Sequence, residues 1–564
     1  MSDSPDILKT FIPDELTPQN FKEAAMRGIS DLFSKACARE DENTGFFDYW
    51  SDGESVLRPG LLPVGDGLLS LTEMLDILQG MVQNEESDAA AMMSKLQGLV
   101  NEGKVNKVVL RSVRDFFNVF TKTTTADGKS DFYYSGFPYV TKGHLSATVD
   151  EASAQNAAQD PEMTASVAYA VLVADGVYRN QGVWRKGMSA EVKKDFSAIT
   201  KDTAKSMLTH AADRLCATRL QGTKGIESAG WAWRSSADSN FKTDPLLKPE
   251  LMATSMACSA LTVALENQAS LLSKTLREKC DHHLSEGINW ITATLSENFN
   301  ANNLKGWREY GTEGRVRLID QVMGLRTLFY APDATLATAV SQHGFLISEV
   351  LQNILRLMLN LPETAEPDYH LLRASDFTGL VVWEDYSLPY WCLGLLNRIS
   401  IWSQDIGKQE QSKKREADYK YQAQNEVLWG AAKRLHETVH APMAQAVINS
   451  AFLKLLGDYR NNTQFLWPKG EYHRVYATGE AIKALLEISR NPKFFSGVDM
   501  SDKLFIAMQK TISHPLFSAD FAENASRYIV NNFAVEEILE TPGITAATKQ
   551  QPTHNAVADE TFEV

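Results

Sequence analysis

Apolar residues recur along this chain at spacings of three and four. Stretches such as "TAKSMLTHAADRLCATRL", "LISEVLQNILRLMLNL" and "AQAVINSAFLKLLGDY" carry the helical period over several turns. Alternating β-branched runs are scarce, and no Asn-Gly or Asp-Gly turn is flanked by them. The pattern predicts an all-α protein.

Within that pattern a unit recurs: an aromatic, glycine-containing loop followed by a strongly apolar helix. It begins at Gly45 ("GFFDYW"), at "DFYYSGFPYV", at Gly230 ("GWAWR"), at Gly306 ("GWREYG"), at Gly379 ("GLVVWEDY") and at Phe465 ("FLWPKGEYHRVY"). The helices of the second and third copies align by eye, "PE-MTASVAYAVLVA" against "PELMATSMACSALTVA", which sets Met163 against Met252. Helices apolar nearly all round are buried on every side, whereas the segments between them keep a polar face. Six such pairs predict an inner ring of buried helices inside an outer amphipathic ring, an (α/α)6 toroid over residues 41–540. An open helical solenoid of the same hairpins is the alternative. Residues 1–40 read as a helical N-terminal extension, and 541–564 ("TPGITAATKQQPTHNAVADETFEV") as a disordered tail.

Charge and composition narrow the function. The chain has 564 residues and a formal net charge of −15, with no basic stripe, so nucleic acid is not expected as a partner. The cluster Lys413-Lys414-Arg415 reads as a solvated helix face. No apolar run is long enough for membrane insertion, and the N-terminus lacks the apolar core of a secretory signal. The five cysteines, at 37, 216, 258, 280 and 392, are scattered and odd in number, as for reduced thiols of a cytoplasmic protein.

One motif suggests a metal. In "RLHETVHAPM", His436 and His440 stand one turn apart with Glu437 between them, the H-E-x-x-H arrangement in which two imidazoles hold zinc and the glutamate acts as base. Arg434 and the helix-stopping Pro442 argue for a plain helix end, where imidazolium suits the negative end of the dipole. No third ligand follows at a zinc-peptidase spacing. No cofactor is therefore expected, with zinc at this pair the exception to test.

If the helices form a ring, the six loops gather at one end of it. They supply Trp231, Trp233, Trp307, Arg308, Glu309, Trp383, Trp391, Trp467 and Arg474 as candidate ligand contacts. Glu384, Asp385, Glu471 and His473 are the candidate acids and bases. Tryptophans that only plug the mouth of the ring are the competing reading.

Aromatic-glycine loops each followed by a small-residue helix resemble the toroids of terpenoid cyclases and protein prenyltransferases. "EYHRVYATGEAIKALL" looks like the prenyltransferase segment that supplies a zinc-binding histidine, which the resemblance would place at His473. "EDYSLPYWCLGLL" looks like the segment that supplies the other two ligands, but Tyr386 stands in the cysteine's place. Cys392 is two turns further on, about 10 Å along a helix. No two aspartates are adjacent, so the acidic signatures of the cyclases are missing, as are their Gln-Trp repeats. Three readings follow: a toroid that binds a protein partner or a small apolar or sugar ligand at its loop face as part of a larger assembly; an enzyme using an aromatic and acidic cavity on an isoprenoid or carbohydrate; and a zinc peptidase.

Overall fold

The computed structural model describes residues 164–180, 203–220, 230–233, 247–268, 270–295, 306–314, 318–358, 387–415 and 419–441, together with isolated positions elsewhere. Among the described residues there are eight helices. They are α1 (Thr164–Arg179), α2 (Ala204–Thr218), α3 (Leu251–Gln268), α4 (Lys274–Thr294), α5 (Leu318–Phe329), α6 (Asp333–Met358), α7 (Ser387–Arg415) and α8 (Tyr419–Val439). The expected N-terminal extension and C-terminal tail lie outside the described residues.

The contacts place the helices in two rows. Successive odd-numbered helices touch, α1 with α3, α3 with α5, and α5 with α7. Successive even-numbered helices touch likewise, α2 with α4, α4 with α6, and α6 with α8. Each odd-numbered helix also packs on the even-numbered helix that follows it.

Sequence explains which helix takes which row. In α1 and α3 the side chains are small and apolar around the whole circumference, and Val167, Ala168, Val171 and Ala174 of α1 and Ala253, Ala257, Ala260 and Leu261 of α3 are fully buried. Helix α4 buries one face, through Leu276, Cys280, Leu284, Ile288 and Ile291, and leaves the other in solvent. Its start is fixed by Ser273, whose hydroxyl accepts the Leu276 N–H at 3.2 Å. Helix α8 buries Leu428, Ala432, Leu435 and Val439 in the same one-sided way. The cluster Lys413-Lys414-Arg415 closes the last turn of α7, where cations complement the carbonyl end of the helix. There Lys414 pairs with Glu410 and stands 5.8 Å over the ring of Trp429.

Two contacts extend the rows beyond the eight helices. Leu68, Leu69 and Thr72, from the first copy, are buried, and Asn180 Nδ2 donates to the Thr72 carbonyl at the end of α1. Three short strands also pair: β1 (Tyr49–Trp50), β2 (Pro468–Lys469) and β3 (Tyr472–Arg474) form an antiparallel sheet in the order β1-β3-β2. Its register sets Tyr49 opposite Arg474 and Trp50 opposite His473. The loop of the first copy thus lies beside the loop of the sixth. Among the described residues no helix is long and apolar enough to cross a membrane.

Candidate functional site

The two Gly-Trp loops for which side chains are described have the same construction. Trp231 and Trp307 are both 0% exposed. Each indole N–H donates to a backbone carbonyl sixteen residues earlier in the preceding even-numbered helix: Trp231 Nε1 to Leu215 at 2.7 Å and Trp307 Nε1 to Ile291 at 2.8 Å. Each tryptophan's backbone N–H is held by a side chain of the helix that follows, Trp231 by Thr254 Oγ1 at 2.9 Å and Trp307 by Gln321 Oε1 at 2.8 Å.

The same loops cap the neighbouring odd-numbered helices. The first residue of α1, Thr164, donates its N–H to the Trp233 carbonyl at 3.0 Å. The first residue of α3, Leu251, donates to the Glu309 carbonyl at 2.9 Å. Orphan N–H groups at a helix start need such partners, and here each loop supplies one to the helix before its own. Trp231 and Trp307 therefore lie inside the framework, not on a surface. The clamping residues Thr254 and Gln321 are not recognisable as such in sequence, because nothing local distinguishes them from other polar residues on a helix.

Beyond Trp307 the chain makes a tight turn. Arg308 and Gly311 exchange backbone hydrogen bonds at 2.9 Å, and Gly311 and Gly314 take φ of 79° and 86°, which a side chain would oppose. Arg308 Nη1 donates back to the Gly314 carbonyl at 3.0 Å. The turn buries Glu309 and leaves Tyr310 38% exposed at its tip.

A second cluster lies where α5 faces α7. Arg326, in the last turn of α5, stacks its guanidinium 5.3 Å from the ring centre of Trp391 and 5.6 Å from that of Tyr330. Arg398 of α7 lies 5.8 Å from the same Tyr330 ring and donates from Nε to the Phe329 carbonyl at 3.1 Å. Two guanidiniums thus flank one tyrosine, all four side chains half-buried, and among the described residues neither arginine has a carboxylate within ion-pair distance. The charge of Arg398 reaches Glu266 of α3. Burial pushes that carboxyl above the usual range, Arg398 pulls it down, and Asp333 pushes it up. Sequence points to Trp391 but not to the arginines. The available signal is a cation inside an otherwise apolar helix, "LIDQVMGLRTLF" and "LGLLNRISIW".

The H-E-x-x-H segment forms the end of α8. His436 Nδ1 lies 3.2 Å from Ser403 Oγ and His440 Nε2 3.3 Å from Ser400 Oγ, both serines on α7. The two rings are 4.3 Å apart. Glu437 is 65% exposed and its nearest cation is Lys433, at 3.9 Å on the same helix. Among the described residues no three His, Cys, Asp or Glu side chains are grouped to hold a metal ion. The pair fits a helix-end contact better than a peptidase centre, since the imidazoles are taken up by serine hydroxyls and the glutamate faces solvent.

Burial, and then the charge of His436, lower the pKa of His440 below its ordinary 6.5. A lowered histidine binds its proton better in the unfolded chain, so its contribution is present above pH 6.5 and is lost as pH falls below that value. Urea midpoints measured on either side should show stability falling towards acid, and His440→Gln should flatten the slope. His343 on α6, also lowered by burial, supplies part of the remainder. An unchanged slope in His440→Gln would rule this histidine out as a source.

The other candidates are placed only in part. Trp383, Glu384, Asp385, Trp467 and Glu471 lie outside the described residues, and for His473 and Arg474 only the strand pairing is described. Comparison of the chain with protein-family models, with curated proteins and with solved structures finds no match.

Proposed function

We propose that the chain is a closed ring of helical hairpins that binds a ligand with an apolar body and an anionic end, the anion held between Arg326 and Arg398. The observation that carries this reading is the pair of half-buried guanidiniums flanking Tyr330 with no carboxylate contact among the described residues. A guanidinium has five N–H donors in a fork suited to carboxylate or phosphate oxygens. Aromatic stacking holds each fork in place without using those donors. An apolar body has a surface to lie on. Met252, Met256 and Val263 of α3 recur at helical spacing and, with Leu265, stay only half-buried in a helix whose remaining apolar positions are covered. Closure of the ring is supported by the ordered contacts between successive helices and by the pairing of Trp50 with His473.

Titration calorimetry with dodecyl phosphate, dodecanol and inorganic phosphate tests the reading. Dodecyl phosphate should bind, dodecanol should bind at least about tenfold more weakly, and Arg326→Ala with Arg398→Ala should remove the difference in a protein whose far-ultraviolet circular dichroism remains helical. Equal binding of dodecanol and dodecyl phosphate, or binding indifferent to both substitutions, would overturn it. A second reading, a protein partner docking on the loop face, has one observation in its favour. The turn at 308–314 is held by its own hydrogen bonds and presents Tyr310 to solvent, the kind of rigid aromatic that anchors interfaces.

A further inference from the structure

We propose that Cys216 and Cys280 form a dithiol that peroxide oxidises to a disulfide, stapling α2 to α4. The inference stands apart from the ligand reading and uses different residues. The Sγ atoms are 3.7 Å apart, with Cys216 donating its S–H to Cys280. Cys216 is 2% exposed and Cys280 is 0% exposed.

The position of the pair within the α2–α4 contact is what gives it a use. It is the middle rung of a ladder of cross-helix contacts. One turn before it, Asp213 Oδ1 meets Lys279 Nζ at 2.6 Å. One turn after it, Arg219 Nε donates to His283 Nδ1 at 2.8 Å, and Arg219 Nη1 lies 3.6 Å from Glu286. The polar rungs on both sides fix the rotation and rise of one helix against the other, so the thiols are held in contact. Shortening 3.7 Å to a disulfide bond of about 2.05 Å then needs side-chain torsion and little backbone movement.

The thiols are also unequal. The S–H of Cys216 favours the Cys280 thiolate and outweighs burial and the Asp213 charge, which oppose it, with the Lys279 ammonium a smaller aid. The hydrogen bond that Cys216 donates, and then burial, push its own thiol up. Cys280 is thereby the attacking sulfur. Its thiolate forms an S–O bond with one peroxide oxygen as the O–O bond breaks, and the departing hydroxide takes the Cys216 proton to become water. Cys216 sulfur then attacks the Cys280 sulfenic acid, the S–S bond forms, the S–O bond breaks, and a second water leaves after protonation. Two sulfurs lose one electron each and one hydrogen peroxide is reduced to two waters. Because both sulfurs are buried, reaction takes place on local opening of this edge of the helix pair.

The full-length protein supplies its own controls. Cys258 and Cys392 are equally buried but have no thiol neighbour among the described residues. The native protein should be treated with hydrogen peroxide, blocked with N-ethylmaleimide under denaturing conditions, digested and examined by mass spectrometry. The expected product is a peptide pair joined through Cys216 and Cys280, lighter by two hydrogens and restored by dithiothreitol, with Cys258 and Cys392 recovered as alkylated thiols. The oxidised wild type should melt at a higher temperature than the reduced form, and this difference should vanish in Cys280→Ser. Recovery of Cys216 and Cys280 as free thiols, oxidation of Cys280 to sulfinic acid without a crosslink, or a crosslink from either to another cysteine would each overturn the proposal. The wild-type mass spectrum decides it even where a serine variant fails to fold.

Discussion

Replacing Trp307 by alanine should destabilise the protein by about 3–5 kcal/mol, the range for deleting a fully buried aromatic side chain. The indole fills the space between α4 and α5 so closely that a Cβ built on Gly324 would lie 2.7 Å from Cε3 of its ring. Its removal leaves a cavity and also takes from the Ile291 carbonyl one of the hydrogen bonds it accepts. Trp231→Ala should cost a similar amount for the same two reasons, with Gly287 and Cys258 lining the cavity. Phenylalanine separates the contributions. Trp307→Phe keeps most of the volume and loses the hydrogen bond, but the Ile291 carbonyl still accepts the Leu295 N–H and the Thr294 hydroxyl. It should therefore cost only about 0.5–1.5 kcal/mol, the net worth of one hydrogen bond. Urea denaturation of the four proteins reads these differences directly. If Trp307 were a cavity-wall residue awaiting a ligand, alanine would change stability by no more than about 0.5 kcal/mol, as surface substitutions do. Such a result would mean that the Gly-Trp loops do not carry the packing between the helix rows.

The helical class is legible because α1 and α3 are apolar on every side and α4 and α8 on one, a contrast that needs only periodicity to see. The Gly-Trp loops are legible as a recurring feature, yet their use is not. Whether an indole faces a cavity or a core depends on which carbonyl receives its N–H. Those carbonyls, of Leu215 and Ile291, belong to separate helices that no local pattern ties to the tryptophan. Register between the copies is misread by eye for a related reason. The alignment sets Met163 against Met252, but the backbone hydrogen bonds set Thr164 against Leu251, each the first residue of its helix and each donating to the residue two past a loop tryptophan. Helices made of alanine, serine and valine on all faces can slide in an alignment at almost no cost, so composition cannot fix the register that caps and clamps fix in space. Arg326 and Arg398 escape notice because the aromatic loops stand out and single cations inside the helices do not. The H-E-x-x-H segment shows the reverse. Its spacing is visible at once, and only the positions of Ser400, Ser403 and Lys433 show how its side chains are engaged.

The clamp on the fourth loop should prove nearly as important as its tryptophan. Gln321 is 2% exposed, and it serves Trp307 twice: Oε1 accepts the backbone N–H at 2.8 Å, and Nε2 donates to the backbone carbonyl at 2.6 Å. Gln321→Leu preserves much of the volume but leaves both buried backbone groups without this partner. At about 1–3 kcal/mol for each unpaired group, the loss should come to about 2–6 kcal/mol. The third loop gives the comparison. Thr254→Val is nearly isosteric and removes the acceptor for the Trp231 N–H, but the Trp231 carbonyl still receives the Glu250 N–H at 2.8 Å. One group is orphaned instead of two, so the cost should be about 1–3 kcal/mol, smaller than that of Gln321→Leu. Denaturant midpoints give the order of the two variants. Amide hydrogen exchange gives the cause, since protection should drop at Trp307 and at Leu251, whose N–H is capped two residues along the same loop at Glu309. Equal costs for the two variants, or exchange at Trp307 unaltered by Gln321→Leu, would mean that the loop is held by something other than this pair of side-chain hydrogen bonds.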